Sequence, residues 1–280
     1  MFVGKSGFSF RLSKPVAKWS YSQLQAYRTC PAQWKAVRMD KRAAHDKRRA
    51  LPGTLVHAVV QRLFEHKLGA YADARVAMAY LDAYAHVTLS ELATREGVVL
   101  TAYEVKQALD LVHDVLPGIF RTLDHYRLYG GMNRVEYGLS VQLEADTVFG
   151  TADLIVEHPD STMILDVKSG KTVGRYVSVE QLQFYALGYL REFERLPNLL
   201  GFWWVRHEKV LWKKLGDLSL LREGLQATID RIRANDFAPT PGRHCQLCPI
   251  KMTCEASPCR KQADIEIPAG NCGRISLDPV

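Results

Sequence analysis

Long hydrophobic runs are missing from this 280-residue chain: none approaches the roughly 18 consecutive apolar residues of a membrane span. The opening stretch, MFVGKSGFSFRLSKPVAKWS, holds no secretory apolar core, so an intracellular, cytoplasmic protein is expected. Internal repeats and low-complexity segments are lacking too. The composition, 47% hydrophobic and 24% charged, has none of the bias of disordered, collagenous or disulfide-knotted chains. No G-x-x-x-x-G-K-[ST] occurs, so any ATP-driven work must come from a partner. Acidic residues are scarce in the first fifty positions, where twelve basic side chains face only Asp40 and Asp46. The chain as a whole carries +7, so this segment holds more than the entire basic excess. It ends in Lys41, Arg42, Lys47, Arg48 and Arg49. Such a cluster suits a polyanion, because each phosphate it neutralises releases condensed counterions; the alternative is a solvated arm that serves solubility. In a reducing compartment the six cysteines read as metal ligands or free thiols rather than disulfides.

The apolar period divides the chain. Ser20 or Ser22 can cap a helix carrying Leu24 and Tyr27, which should break near Cys30 because Pro31 disfavours helix at the residue before it. After a Pro52-Gly53 turn, Leu55, Val56, Val59, Val60, Leu63 and Phe64 follow helical spacing, with Gly69 as the stop. Residues 71–95 and 103–128 read as two more helices, the second open to interruption at Pro117-Gly118. The period then falls to two. Strands are expected at 135–143, 147–157 and 162–168, a helix at 178–195, strands near 199–206 and 209–214, and a helix over 217–235. The fold class expected is α+β, one mixed sheet flanked by helices. It divides into a basic arm with the first helix (1–52), a helical region (53–130), an α+β core (131–235) and a Cys-rich segment with the tail (236–280).

The segment GTADLIVEHPDSTMILDVKSG, residues 150–170, carries the chemistry. A hairpin folded symmetrically about Pro159-Asp160 sets Asp153 opposite Asp166, and Lys168 projects from the same face as Asp166. The other face would take Ala152, Leu154, Val156, Met163, Leu165 and Val167, so one face buries and the other presents two carboxylates and an ammonium. Opposed like charges on neighbouring strands are destabilising, and a site that keeps them needs a cation or a raised pKa. Two carboxylates with room for water suit Mg²⁺ or Mn²⁺. The bland alternative is a solvated surface hairpin.

Read with their neighbours, these residues resemble the PD-(D/E)xK nuclease superfamily, in its RecB-like branch with an iron–sulfur cluster. Ser22-x-x-x-x-Tyr27-x-x-Cys30-Pro31 is similar to that branch's opening helix and first cluster cysteine. Gly53-Thr54-Leu55-Val56-His57 resembles its G-x-x-x-H helix, Gly150-Thr151-Ala152-Asp153 its G-x-x-D strand and Asp166-Val167-Lys168 its (D/E)-x-K strand. Gln181 to Tyr185 resembles its Q-x-x-x-Y helix, and Cys245-x-x-Cys248 with Cys254 the C-terminal half of its cluster motif.

The resemblance implies a restriction-endonuclease-like sheet and hydrolysis of phosphodiester bonds in linear, single-stranded DNA, with exonuclease action. It implies that His57, Asp153, Asp166 and the Val167 carbonyl hold Mg²⁺ or Mn²⁺, that Lys168 assists the water's attack, and that Gln181 and Tyr185 position the strand. Glu136 is an accessory acid or a solvated strand residue. Cys30, Cys245, Cys248 and Cys254 would bind a [4Fe–4S] cluster; the rival is local Zn²⁺ with Cys259 in place of Cys30, and Cys272 is left as a free thiol. The basic segment from Lys41 to Arg49 would track the strand, with Trp34 and Tyr27 stacking on it. The partners implied are DNA and a helicase or CRISPR-adaptation complex, with a homo-oligomer open, for recombination, repair or CRISPR adaptation. The rival of another class is a non-catalytic DNA-binding scaffold subunit built around the cluster.

Overall fold

A computed structural model of the chain describes residues 17–42, 44–71, 73–129, 131–174 and 177–263; Cys272 and the expectation attached to it lie outside them. The first ordered step is a short strand, β1 (Ala17–Ser20), that sequence periodicity does not reveal because four residues carry no pattern. Ser20 then caps α1 (Tyr21–Thr29), its hydroxyl accepting from the Gln23 amide at 3.2 Å. Pro31 forces Cys30 into an extended conformation, which ends α1 and starts the single turn α2 (Pro31–Trp34), continued by a π-helical turn at Lys35–Met39.

Pro52 and Gly53 are not a turn. They form the first turn of α3 (Leu51–Glu65), where proline's missing N–H costs nothing. Gly69 is not the helix stop either: α3 ends at His66 with Lys67 in the left-handed region (φ 52°), and Gly69 lies in the short α4 (Leu68–Tyr71), where a Cβ would crowd Leu123. Then α5 (Ala74–Glu96) stops at Gly97, and α6 (Ala102–His125) starts from a reciprocal Thr101–Glu104 cap. Pro117 lies inside α6 without interrupting it.

The strands follow as expected: β2 (Met132–Gln142), β3 (Asp146–His158) and β4 (Ser161–Lys168). After α7 (Val179–Phe193) come β5 (Leu199–Trp204), β6 (Lys209–Lys213) and α8 (Leu218–Arg233); α9 (Pro258–Ala263) closes the described chain. The sheet is six-stranded and mixed, ordered β1-β3-β4-β5-β6 with β2 on the other side of β3. β4 runs antiparallel to β3 and parallel to β5, in the hairpin register expected: Leu154 faces Leu165, and Val156 faces Met163.

Two cores sandwich the sheet. Helices α3, α5 and α6 pack with Leu154, Val156, Leu165, Val167 and Trp203. On the opposite face α1, α7 and α8 pack with Val148, Ala152, Ile155, Ile164 and Phe202. The expectation of one buried and one open hairpin face is therefore corrected: β4 is buried on both sides, because a parallel neighbour and two helical layers enclose it. Ala152 is also reassigned, since it packs in the α1/α7/α8 core while Leu154 packs in the other. Strand alternation would put both on one face, so β3 exchanges faces at Asp153. Its neighbour β2 does the same between Val135 and Tyr137, where Glu136 adopts φ 46°.

Candidate active site

The two partners of one β3 edge create the site. β1 pairs with β3 only as far as Phe149, and β4 pairs with it only from Leu154. Gly150 to Asp153 are left without a ladder neighbour on that edge, and the sheet opens into a notch. The notch is lined by Ser20, Tyr21 and Gln25 from the start of α1, by Gly150 and Asp153, and by Gln181 and Tyr185 from α7. Gly150 is required there, because a Cβ would overlap the Phe184 ring.

Three acids meet at this level. Glu136 falls opposite Asp153 in the β2–β3 register, between the Val135–Leu154 and Tyr137–Ala152 pairs, and Asp166 follows Leu165 where the β3–β4 ladder ends. A positive φ is strained for a residue with a side chain, and at Glu136 it interrupts the ladder beside Asp153. His57, on α3, brings Nδ1 to 3.5 Å from Asp153 Oδ2. One ligand atom each from His57, Glu136 and Asp153 falls within 4.8 Å of the other two. The same Asp153 Oδ2 accepts from the Val167 amide at 2.7 Å, so the side chain takes over where the ladder stops.

Asp166 sits deeper, 1% exposed, with Lys168 Nζ 2.5 Å from its Oδ2. That oxygen is buried, and the Lys168 ammonium is its partner. Burial and then the Asp153 charge push its carboxyl up to about 6. Burial followed by Asp153 raises Glu136 in the same direction. Burial works against the His57 imidazolium, but the Asp153 carboxylate prevails and holds its pKa above the ordinary value. Gln181 Nε2 donates to the Tyr185 hydroxyl at 2.8 Å; burial raises that phenol's pKa against the pull of this bond. Behind Lys168, Arg206 Nε donates to the Ser169 carbonyl at 2.8 Å and fixes the chain as it leaves β4.

His57, Asp153, Asp166, Val167, Lys168, Gln181 and Tyr185 are thus brought together, with Glu136 among them. The start of α1 is the part that sequence reasoning missed as site lining; the Ser-Tyr-Ser before a helix was its only signal.

The four cysteines Cys30, Cys245, Cys248 and Cys254 are free thiols and line one small pocket, although Cys30 is far from the others in sequence. Burial, and then the neighbouring thiols, raise the Cys248 pKa. Cys259 does not line this pocket and is disulfide-bonded, which corrects the expectation of thiols or metal ligands only. Lys41, Arg42, Lys47, Arg48 and Arg49 are all exposed; Arg42 pairs with Asp40, Lys47 with Glu96 at 2.9 Å and Arg48 with Asp46 at the surface. Trp34 and Tyr27 do not stack on a strand. Both are buried, and Trp34 lies parallel to Phe237 at 6.1 Å.

No helix among the described residues is long and apolar enough to cross a membrane. No curated protein sequence matches the chain. Among solved structures, a candidate exonuclease from Eubacterium rectale aligns at 15% identity and TM-score 0.39, covering 89% of this chain and 94% of its own. A protein titled SSO0001 aligns at 16% identity and TM-score 0.32, covering 54% of this chain and 76% of its own. The PD-(D/E)XK nuclease superfamily profile matches residues 18–255, which span the notch, the acids, Lys168 and the thiol pocket. On that match the chain belongs to the PD-(D/E)XK nuclease superfamily.

Proposed function

We propose that the protein is a divalent-metal-dependent deoxyribonuclease that hydrolyses phosphodiester bonds in linear single-stranded DNA, acting as an exonuclease. The observation that carries the reading is the level of three acids on three adjacent strands, with a buried Asp166 carboxylate held against Lys168 among them. That donor set fits a hard cation: His57, Asp153, Asp166 and the Val167 carbonyl would hold Mg²⁺ or Mn²⁺, and Glu136, grouped with His57 and Asp153, would join them. When bound, such an ion supplies Lewis acidity toward the phosphate and the attacking water.

The chain's own groups do the rest. Lys168 keeps an ammonium at the acids, where negative charge develops on the phosphoryl oxygens. The Val167 amide fixes Asp153, and the Gln181–Tyr185 pair presents an amide and a phenol to a strand lying in the notch. A [4Fe–4S] cluster on Cys30, Cys245, Cys248 and Cys254 is part of the same proposal. Four free thiols line one pocket, Cys30 reaching it from the far end of the chain.

The test is cleavage of end-labelled single-stranded DNA by anaerobically purified wild type and Lys168→Ala, with Mg²⁺, Mn²⁺ or EDTA. The expected result is metal-dependent cleavage from an end, lost in the variant while DNA binding persists. An intact, cluster-loaded wild type that binds DNA without cutting it would transfer the reading to the scaffold subunit.

A further inference from the structure

The sheet face leading to the acids is covered along only half its length. Beyond Asp153, α3, α5 and α6 bury it. Before Asp153 it is open: Phe149 and Thr151 point away from the core that holds Val148 and Ala152, and both are exposed. Phe149, 40% exposed, is a large aromatic on a polar surface, and it lines the same notch as Asp153. On neighbouring β1, Lys18 is exposed and holds Nζ 5.9 Å from the centre of the Phe149 ring. Among the described residues no acid pairs with Lys18. On the other side, β2 offers Gly138, where even a Cβ would meet nothing within 4 Å, so no side chain roofs the approach.

An exposed ring with an ammonium over it that no acid among the described residues neutralises, on the strand leading to the proposed phosphodiesterase site, has the chemistry of a nucleotide platform. Bases stack on the ring whatever their identity, and the cation neutralises the backbone. With a rise of about 3.3 Å per residue, Phe149 lies roughly 13 Å from Asp153 along the strand, within a few nucleotides of the acids.

We propose that Lys18 and Phe149, with Thr151 and the bare backbone at Gly138, form a landing face for single-stranded DNA. One base stacks on Phe149 and one phosphate meets Lys18, so that the bond to be cut falls at Asp153 and Asp166. This rests on the nuclease reading and adds to it where the strand lies.

The test measures binding apart from cleavage, in the Lys168→Ala background, with oligothymidylate carrying one 2-aminopurine moved stepwise along it. The platform predicts fluorescence quenching confined to a position near the scissile bond and on one side of it. Adding Phe149→Ala should abolish that quenching and weaken binding roughly tenfold or more, while Phe149→Trp restores both. Lys18→Ala should lower the slope of log affinity against log salt by about 0.7, one phosphate's worth on a single strand. In otherwise wild-type protein, Phe149→Ala should raise KM with kcat little changed. Unchanged affinity and quenching in Phe149→Ala, with wild-type cleavage intact, would overturn the platform and leave the nuclease standing. Absence of cleavage in the wild type would be the separate failure of the nuclease reading.

Discussion

Asp166 shows what burying a carboxyl beside a second acid costs. Its carboxyl is pushed to about 6 by burial and by Asp153, whereas an unfolded chain releases the same proton near pH 4. Between those values the folded protein holds a proton that the unfolded protein has lost. Its contribution to stability is therefore full below about pH 4 and disappears as pH rises through about 6. In EDTA at pH 7.5, Asp166→Asn is expected to melt higher than wild type, by the equivalent of about 1–3 kcal/mol. The gap should shrink toward pH 4, and Mg²⁺ should stabilise wild type far more than the variant. Melting curves at the two pH values, with and without the ion, check this; an Asp166→Asn protein that melts lower at pH 7.5 would show that the carboxylate is not strained. The Asp166–Lys168 pairing was legible in the sequence, because period-two spacing puts i and i+2 on one face. The positive φ of Glu136 was not, since nothing in Val-Glu-Tyr announces a left-handed residue.

At the level of elements, the register of the β3–β4 hairpin is readable because its apolar residues pair only one way about Pro159-Asp160. The change of face at Asp153 is not readable, because it comes from Glu136 on another strand and from β1 and β4 sharing one edge of β3. The length of β1 explains why it escapes notice: four residues show no periodicity, and it is held by tertiary contacts. Trp19 Nε1 donates to Asp146 Oδ1 at 3.1 Å, and the same buried carboxylate pairs with Arg233 of α8 at 2.7 Å. The notch also depends on how closely α7 approaches β3 at Gly150. Gly150→Ala should drive the Phe184 ring and α7 away from the strand, destabilising the protein by about 1–3 kcal/mol and displacing Gln181 and Tyr185. Chemical denaturation measures the first effect and the cleavage rate of the folded variant the second. Wild-type values for both would mean that the helix is not braced there.

Across the whole molecule, one sheet separates two cores, and the acids lie where the cover on one face ends. That border is what lets a buried carboxylate and a strand-sized opening coexist. The second whole-molecule feature is the closure of Cys30 on the C-terminal thiols, which ties the end of α1 to the segment after α8. If those thiols hold a [4Fe–4S] cluster, Cys30→Ser should lose most iron and acid-labile sulfide and unfold at lower temperature, with no gain in zinc. Metal and sulfide analysis of anaerobic preparations decides this; full iron content in Cys30→Ser would remove that cysteine from the cluster. The helical region over 53–130 was readable as helices from its 3.6-residue period. Its role as the cover that stops at the acids was not, because that depends on where the sheet changes face.

On the proposed reading, side chains from α3, β3 and β4 would hold a divalent cation. Titration of the DNA-free protein with Mn²⁺, followed by electron paramagnetic resonance, tests it most directly in wild type, Asp153→Asn and His57→Ala. The expected outcome is saturable binding in wild type that weakens at least tenfold in each variant while the fold persists. Equal Mn²⁺ affinity in all three proteins would contradict the site.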